Sequence, residues 1–418
     1  MPSRRHLVAA LISLTLVFVS IWSVAPSGQA PAAGGITVFE GARLINGEGD
    51  APIENASFVI EGGRFVQVGR AGDVRVPAGA TRVSLAGKTV MPAIVDTHSH
   101  PNPTRDALIT DLRRRAYFGI GAVLSLGQDT GTDAFTVRTE ALAGLPRYFT
   151  AGRGITLPEP GRSEAPYWVT SEAEARKAVQ ELAALKVDIV KIWVDDRDDM
   201  YKKLPPELSA AIIDEAHTHG LRVTAHIFEL DDAKGLLRAG IDAFSHGVRD
   251  RDIDEEGLAL FKARPNFVVV PNLPDRGVAT DMSWLRGSIP AAEIEKLQAG
   301  ATDRPAVQPL FAVQARNLVK LNAAGTRLAL GTDGNTPWAP HLEMADMVAA
   351  GMTPAQVIVA ATRNGAQFLR IPDAGTIASG KSADFIVLDA NPLDEITNTR
   401  RISAVYLRGT AVDRTSYR

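Results

Sequence analysis

The stretch "MPAIVDTHSH", residues 91–100, is where the chain changes texture. Before it, from residue 36 onward, short alternating runs are joined by glycine turns, as in "GITVFEGARLING", "SFVIEGGRFVQVG" and "TRVSLAGKTVMPA", the pattern of a small β domain. After it, apolar strand-like runs alternate with helical stretches, as parallel βα units require. Eight candidate strands follow, at residues 93–96, 122–126, 147–151, 188–194, 222–227, 243–246, 267–271 and 327–332. Eight such units close a (β/α)8 barrel, so the fold class is α/β. Past residue 371 the β texture returns in "GTIASGKSADFIVLD" and "ISAVYLRGTAV". The reading is therefore an export signal over 1–32, a barrel over 93–374, and a β-sandwich domain split between 33–92 and 375–418.

The helices between the strands carry their own punctuation. In "TSEAEARKAVQELAALK" Thr170 or Ser171 caps an acidic first turn, and "PPELSAAIIDEAHTHG" starts on proline and stops at Gly220. The run Arg113-Arg114-Arg115 lies in a helical stretch without aromatic residues interleaved, and reads as a solvated face, not a nucleic-acid stripe.

With 418 residues, 45% of them hydrophobic, and a net charge of −3, the chain can bury a substantial core and has no electrostatic claim on nucleic acid. Its first residues differ in kind. Arg4 and Arg5 precede an uncharged apolar run over 7–24, and small residues and prolines follow, the order of an export signal. "SRR" before that run loosely resembles a twin-arginine signal. The run is also close to bilayer-spanning length, so an uncleaved anchor is the alternative. Either way the folded part is expected outside the cytoplasm, periplasmic or secreted, with no stable membrane association once the signal is removed. The chain has no cysteine, which excludes disulfides, thiolate ligands and a thiol nucleophile. Any metal must be held by nitrogen and oxygen.

Chemistry in such a barrel sits at the carboxyl ends of the strands. His98 and His100, two apart on the first strand, share a face. Lys191 lies inside the apolar "DIVKIWV", His226 ends "RVTAHIF", His246 ends "DAFSHGV", and Asp333 ends "RLALGTDG". Each alone has a plain reading: a polar strand end, a snorkelling lysine, a core histidine, a helix cap. Together they place six metal-competent groups on one rim. His217 and His219 sit two apart on a helix and belong to its surface. His341 stands just before the helix after the last strand, where a substrate contact and an ordinary N-terminal helix position are both open. The acidic run "DDRDD", residues 195–199, lacks calcium-loop register and reads as a solvated loop at the barrel mouth.

These features together resemble the amidohydrolase superfamily, in its imidazolonepropionase-related and prolidase-like binuclear branch. The resemblance rests on "MPAIVDTHSH", the strand lysine, the two single histidines, "GTDG" and the tail "HLEMADMVAAGMTPAQVIVAATRNGAQFLRI" with "GTIASGKSADFIVLDANPL". One departure is Ala93, where a glycine commonly precedes the first strand. The resemblance implies two divalent ions, with zinc first and manganese or cobalt as alternatives. His98, His100 and Asp333 would hold the more buried ion, and His226 and His246 the more exposed one. Lys191 would bridge them as a carbamate formed with carbon dioxide, and Asp333 would shuttle the proton. The implied activity is hydrolysis of an amide bond in a dipeptide or N-acyl amino acid. The alternatives are a cyclic amide, a lactone or another ester at the same site, and a barrel that binds without turnover.

The substrate pocket is expected from the loops beyond the strands, with Gln128, Arg153, Trp193, Arg249, Asn272, Asn335 and His341 as candidates. Trp193 follows Lys191 by two and should form an apolar wall. Arg153 and Arg249 are placed to pair with a substrate carboxylate, the alternative for each being a surface ion pair. The partner expected is a small-molecule amide; a homo-oligomer is compatible with the sequence.

Overall fold

The computed structural model describes residues 35–140 and 142–415. The expected export signal lies outside the described residues. Among them, no helix is long and apolar enough to cross a membrane.

The strands at the two ends of the chain meet in one eight-stranded sheet. Thr89–Pro92 pairs antiparallel with Phe385–Leu388, which seats the C-terminal strands beside the N-terminal ones. Aromatic residues at alternate strand positions converge on one core: Phe39 stacks on Phe58 with centroids 5.0 Å apart, and Phe385 on Tyr406 at 4.6 Å. Strands Ile53–Glu61 and Arg64–Arg70 join through Gly62 and Gly63, both at positive φ (56° and 76°). A two-residue hairpin turn that follows the strand twist needs that backbone at both positions.

Eight parallel strands follow, one at each expected place. They are β1 (Ile94–Ser99), β2 (Ile120–Ser125), β3 (Arg147–Thr150), β4 (Val190–Trp193), β5 (Val223–His226), β6 (Ala243–Ser245), β7 (Val268–Val270) and β8 (Arg327–Leu328). β1 to β3 form one sheet and β4 to β8, with two short strands from the β3–β4 connection, form another. Backbone hydrogen bonds cross both margins. Asp188 N donates to Thr150 O (2.9 Å) between β3 and β4, and Thr97 N donates to Leu330 O (2.9 Å) between β1 and the extension of β8.

The intervening helices start and stop as their sequences dictate. Ser171 caps Glu172–Ala184 by accepting from Glu174 N, and Pro206–Thr218 begins with proline at its first turn. One expectation fails here. Arg115 does not lie on a solvated face but is fully buried. Leu108, Leu112, Arg115 and Ala116 form the inward stripe of helix Arg105–Tyr117, the i, i+4, i+7, i+8 spacing of a packed face. The guanidinium is held by Asp111 (2.6 Å), Asp96 of β1 (3.0 Å) and the Gly334 carbonyl (3.3 Å).

Candidate active site

The ends of β1, β4, β5, β6 and β8 bring the six expected groups together. Asp333 is the hub. Its Oδ1 lies 3.0 Å from both His98 Nε2 and His100 Nε2, and its Oδ2 lies 3.4 Å from His246 Nε2. His98 Nε2 and both His246 nitrogens have no hydrogen-bond partner among the described residues, whereas His100 Nε2 is hydrogen-bonded to Asp333. Ligand atoms of His98, His246 and Asp333 all lie within 4.8 Å of one another. Ring centroids of His226 and His246 are 4.2 Å apart, which brings the fourth histidine to the cluster. Buried imidazole nitrogens aimed at a carboxylate without bonding to it suit a common cation better than they suit one another.

Backbone geometry builds this rim. Asp333 adopts left-handed φ (53°), which aspartate tolerates better than most residues and which turns its carboxylate back over β1. Gly331 passes so close to β1 and β7 that a Cβ there would stand 2.7 Å from His98 Cβ and 2.8 Å from Asn272 Oδ1. Behind the rim, Asp96 Oδ1 accepts from His98 N (3.2 Å), and Asp96 Oδ2 accepts from Thr332 Oγ1 (2.9 Å) and Arg115. The buried clamp thereby ties the two ligand-bearing strands together.

Burial sets the electrostatics. It pushes His98 down to about 3, helped by the Lys191 charge, and His226 down to about 4. His246 falls well below the usual imidazole range for the same reason. Burial also lowers the Lys191 ammonium to about 7; its Nζ has no hydrogen-bond partner among the described residues. Asp333 is pulled upward by burial, but His98, His100 and His246 outweigh that and hold it far below the carboxylate range. Neutral imidazoles, an ionised carboxylate and a lysine able to lose its proton are the states a metal site requires.

The other candidates separate. Asn272, buried and at left-handed φ (42°), contacts His98 Nδ1 through its amide (2.5 Å), so it orients a histidine and does not face substrate. Trp193 packs its indole over Gly127 and Gly154, where a Cβ at Gly127 would stand 2.5 Å from it, and its ring centroid is 5.4 Å from Lys191 Nζ. Arg153 is spent on the carbonyls of Glu164, Ala165 and Pro166 and stacks over Tyr167, because the loop before the Glu172–Ala184 helix needs those donors. Arg249 stands over Phe228 with its buried Nε unpartnered, near enough for Asp333 and Asp195 to act on its charge. Gln128 and Asn335 are exposed loop residues. His341 is not at the site. It is buried, with Nε2 at the Phe118 carbonyl (2.9 Å) and Nδ1 at Thr399 Oγ1 (3.1 Å), since the first turn of its helix faces inward.

The acidic run also differs from its expected form, because its first half turns inward. Asp195 and Arg197 side chains are only 14% and 13% exposed, and Asp195 Oδ2 lies 2.8 Å from His226 Nε2. Asp129 is a further buried carboxylate, accepting from Ser125 Oγ (2.9 Å), Tyr148 OH (2.7 Å) and Thr150 Oγ1. Its place just past β2, four residues after Ser125, was a readable signal.

Residues 89–412 match the Amidohydrolase family, and the chain belongs to it. It is a hydrolase acting on carbon–nitrogen bonds, in the branch that holds imidazolonepropionases and prolidase-like proteins. An uncharacterized protein of Mycobacterium tuberculosis (strain H37Rv) is 30% identical over 353 residues, 79% of this chain and 87% of the relative. The imidazolonepropionase of Paracoccus denitrificans is 26% identical over 378 residues, 82% and 90% of the two chains. Among solved structures, a candidate prolidase from Bifidobacterium longum superposes with a TM-score of 0.76 at 26% identity, covering 91% of this chain and 95% of that one.

Proposed function

We propose that this chain hydrolyses the amide bond of a dipeptide or N-acyl amino acid at a metal centre on the barrel rim. The observation that carries the reading is the Asp333 hub, with three imidazole nitrogens within 3.0–3.4 Å of its two oxygens. His98, His100 and Asp333 would hold the inner of two divalent ions, zinc by the nitrogen and oxygen donors, and His226 and His246 the outer. A bound divalent ion supplies Lewis acidity, lowering the pKa of water and polarising the scissile carbonyl. Burial lowers the Lys191 amine to about 7, so it would be able to give up a proton and bond carbon dioxide through its nitrogen, and the resulting carbamate would supply anionic oxygen donors where an ammonium supplies none.

The residues of the chain do the rest. Asp333, ionised throughout the neutral range, accepts the proton of the attacking water and returns it to the leaving nitrogen, which departs only as an amine. Arg249 is the one of the two proposed arginines left for a substrate carboxylate, since Arg153 is committed to its own loop. The hydrogen bonds at both sheet margins and the Ser99–Gly334 bridge support reading the strands as one closed (β/α)8 barrel; the domain that segments 33–92 and 375–418 share is built on one eight-stranded sheet in place of the two facing sheets of the expected β-sandwich. We read residues 1–32 as the signal that exports it, which N-terminal sequencing of the periplasmic or secreted protein tests.

Similarity to imidazolonepropionase favours a second reading, a cyclic amide, lactone or ester at the same rim. A mass-spectrometric screen of zinc-loaded protein against dipeptides, N-acyl amino acids, cyclic amides and lactones separates the two. Loss of open-chain amides with a free carboxylate, with KM rising at least about tenfold in Arg249→Met, supports the first. Loss of cyclic compounds alone replaces it with the second.

A further inference from the structure

His226 reaches the cluster through a contact that the six-ligand reading does not use. Its Nε2 lies 2.8 Å from Asp195 Oδ2 and 3.2 Å from Arg197 Nη1. A carboxylate only accepts and a guanidinium only donates, so both cannot use the same ring nitrogen. Arg197 Nη1 is better satisfied at Asp195 Oδ2, 2.6 Å away, which leaves Nε2–H to donate to Asp195. The proton then sits on Nε2, and Nδ1 keeps its lone pair, on a ring whose centroid lies 4.2 Å from that of His246. The backbone is bent to make this possible. Arg197, Asp198 and Asp199 hold φ of 59°, 58° and 62°, three left-handed residues in succession where L-residues take such values singly. The buried carboxylate of Glu159 anchors the turn from outside, 3.4 Å from Arg197 Nε.

We propose that Asp195 is a positioning residue for the outer metal ligand: by accepting the Nε2 proton of His226 it presents Nδ1 to the ion. The left-handed turn serves to bring its carboxylate there, and Arg197 moderates that carboxylate's charge. Partners of this kind strengthen and orient a ligating imidazole, and their loss typically costs about 10–100-fold in metal affinity. The proposal rests on the metal reading above but concerns only the outer ion.

Two measurements test it. In metal-free protein labelled with 15N-histidine, the imidazole shifts of His226 should report a protonated Nε2 and a bare Nδ1; the opposite tautomer overturns the proposal whatever metal does. By equilibrium dialysis against zinc and elemental analysis, the wild-type chain should bind two ions. Asp195→Asn should weaken the outer ion about 10–100-fold and spare the inner one, with Asp195→Glu restoring part of the loss. Arg197→Gln, which removes a positive charge beside the ligand, should leave the outer ion as tight or tighter. An unchanged Asp195→Asn, or an Arg197→Gln that loses the outer ion equally, overturns the proposal, because a merely structural loop weakens in both. A single ion in the wild type also overturns it while leaving the inner site standing; no ion at all removes the proposed function as well.

Discussion

Replacing Arg115 by methionine keeps an unbranched buried stem while deleting the guanidinium and its charge. Arg115 and Asp96 are both wholly buried, their charges 3.0 Å apart. Burial already holds the Asp96 carboxyl above its ordinary range against the opposing pull of Arg115. Without the guanidinium, Asp96 must either stay ionised with only Thr332 Oγ1 and His98 N as donors, or take up a proton and forfeit an acceptor position to one of them. Removing one partner of a buried pair costs about 3–5 kcal/mol, on the order of a 4–6 °C fall in melting temperature for a chain of this length. The same change frees the Gly334 carbonyl, next to Asp333, so zinc affinity should fall too. A cycle of Arg115→Met, Asp96→Asn and the double variant, followed by calorimetry, should show the double variant no less stable than the worse single one, a coupling of at least about 1 kcal/mol. Additive losses, or a single variant with wild-type melting and zinc binding, would refute the clamp.

Three further outcomes follow from the geometry. Asn272→Ala should weaken zinc about 10–100-fold with little change in melting of the metal-free protein, because it removes the partner of His98 Nδ1; unchanged affinity measured by calorimetric titration would exclude that role. Lys191→Met should stabilise the metal-free protein in carbon dioxide-free buffer at pH 7.5 while lowering bound metal and turnover. The folded amine titrates near 7 and the unfolded one near 10.5, so the penalty is full below 7, on the order of 4 kcal/mol at pH 7.5, and gone above 10.5; a destabilised variant contradicts this. His341, held down to about 4 chiefly by burial, stays neutral while the unfolded chain takes up a proton below 6.5. Stability should therefore drop as pH falls from 6.5 to 4, by about 3 kcal/mol from this residue, and His341→Gln should flatten that limb in urea titrations without changing metal content.

What could be read in advance was whatever depends on local pattern. Eight apolar runs with a titratable residue at or near the end of five of them locate the strands and the rim, because strand alternation and the barrel rule act within a few residues. The pairs that set the site's electrostatics join distant elements, as Asp195 does to His226 and Arg115 to Asp96, and no local pattern announces them. Arg115 was half legible: its place on the stripe with Leu108 and Leu112 points inward, but three arginines in a row obscure which one is buried. His341 misleads for the opposite reason. Its position after β8 is close to the rim in sequence, and only the packing of its helix against Phe118 and Thr399 turns the ring away.

The chemistry proposed for this chain requires the rim around Asp333 to be a metal site. Anomalous diffraction at the zinc edge, from crystals of the zinc-equilibrated protein, tests it most directly. We predict a peak within ligating distance of His98, His100 and Asp333, about 2.0–2.2 Å from each donor, with Lys191 adjoining it. A map with no peak at that position, or with zinc bound only at surface histidines such as His217 and His219, would contradict it.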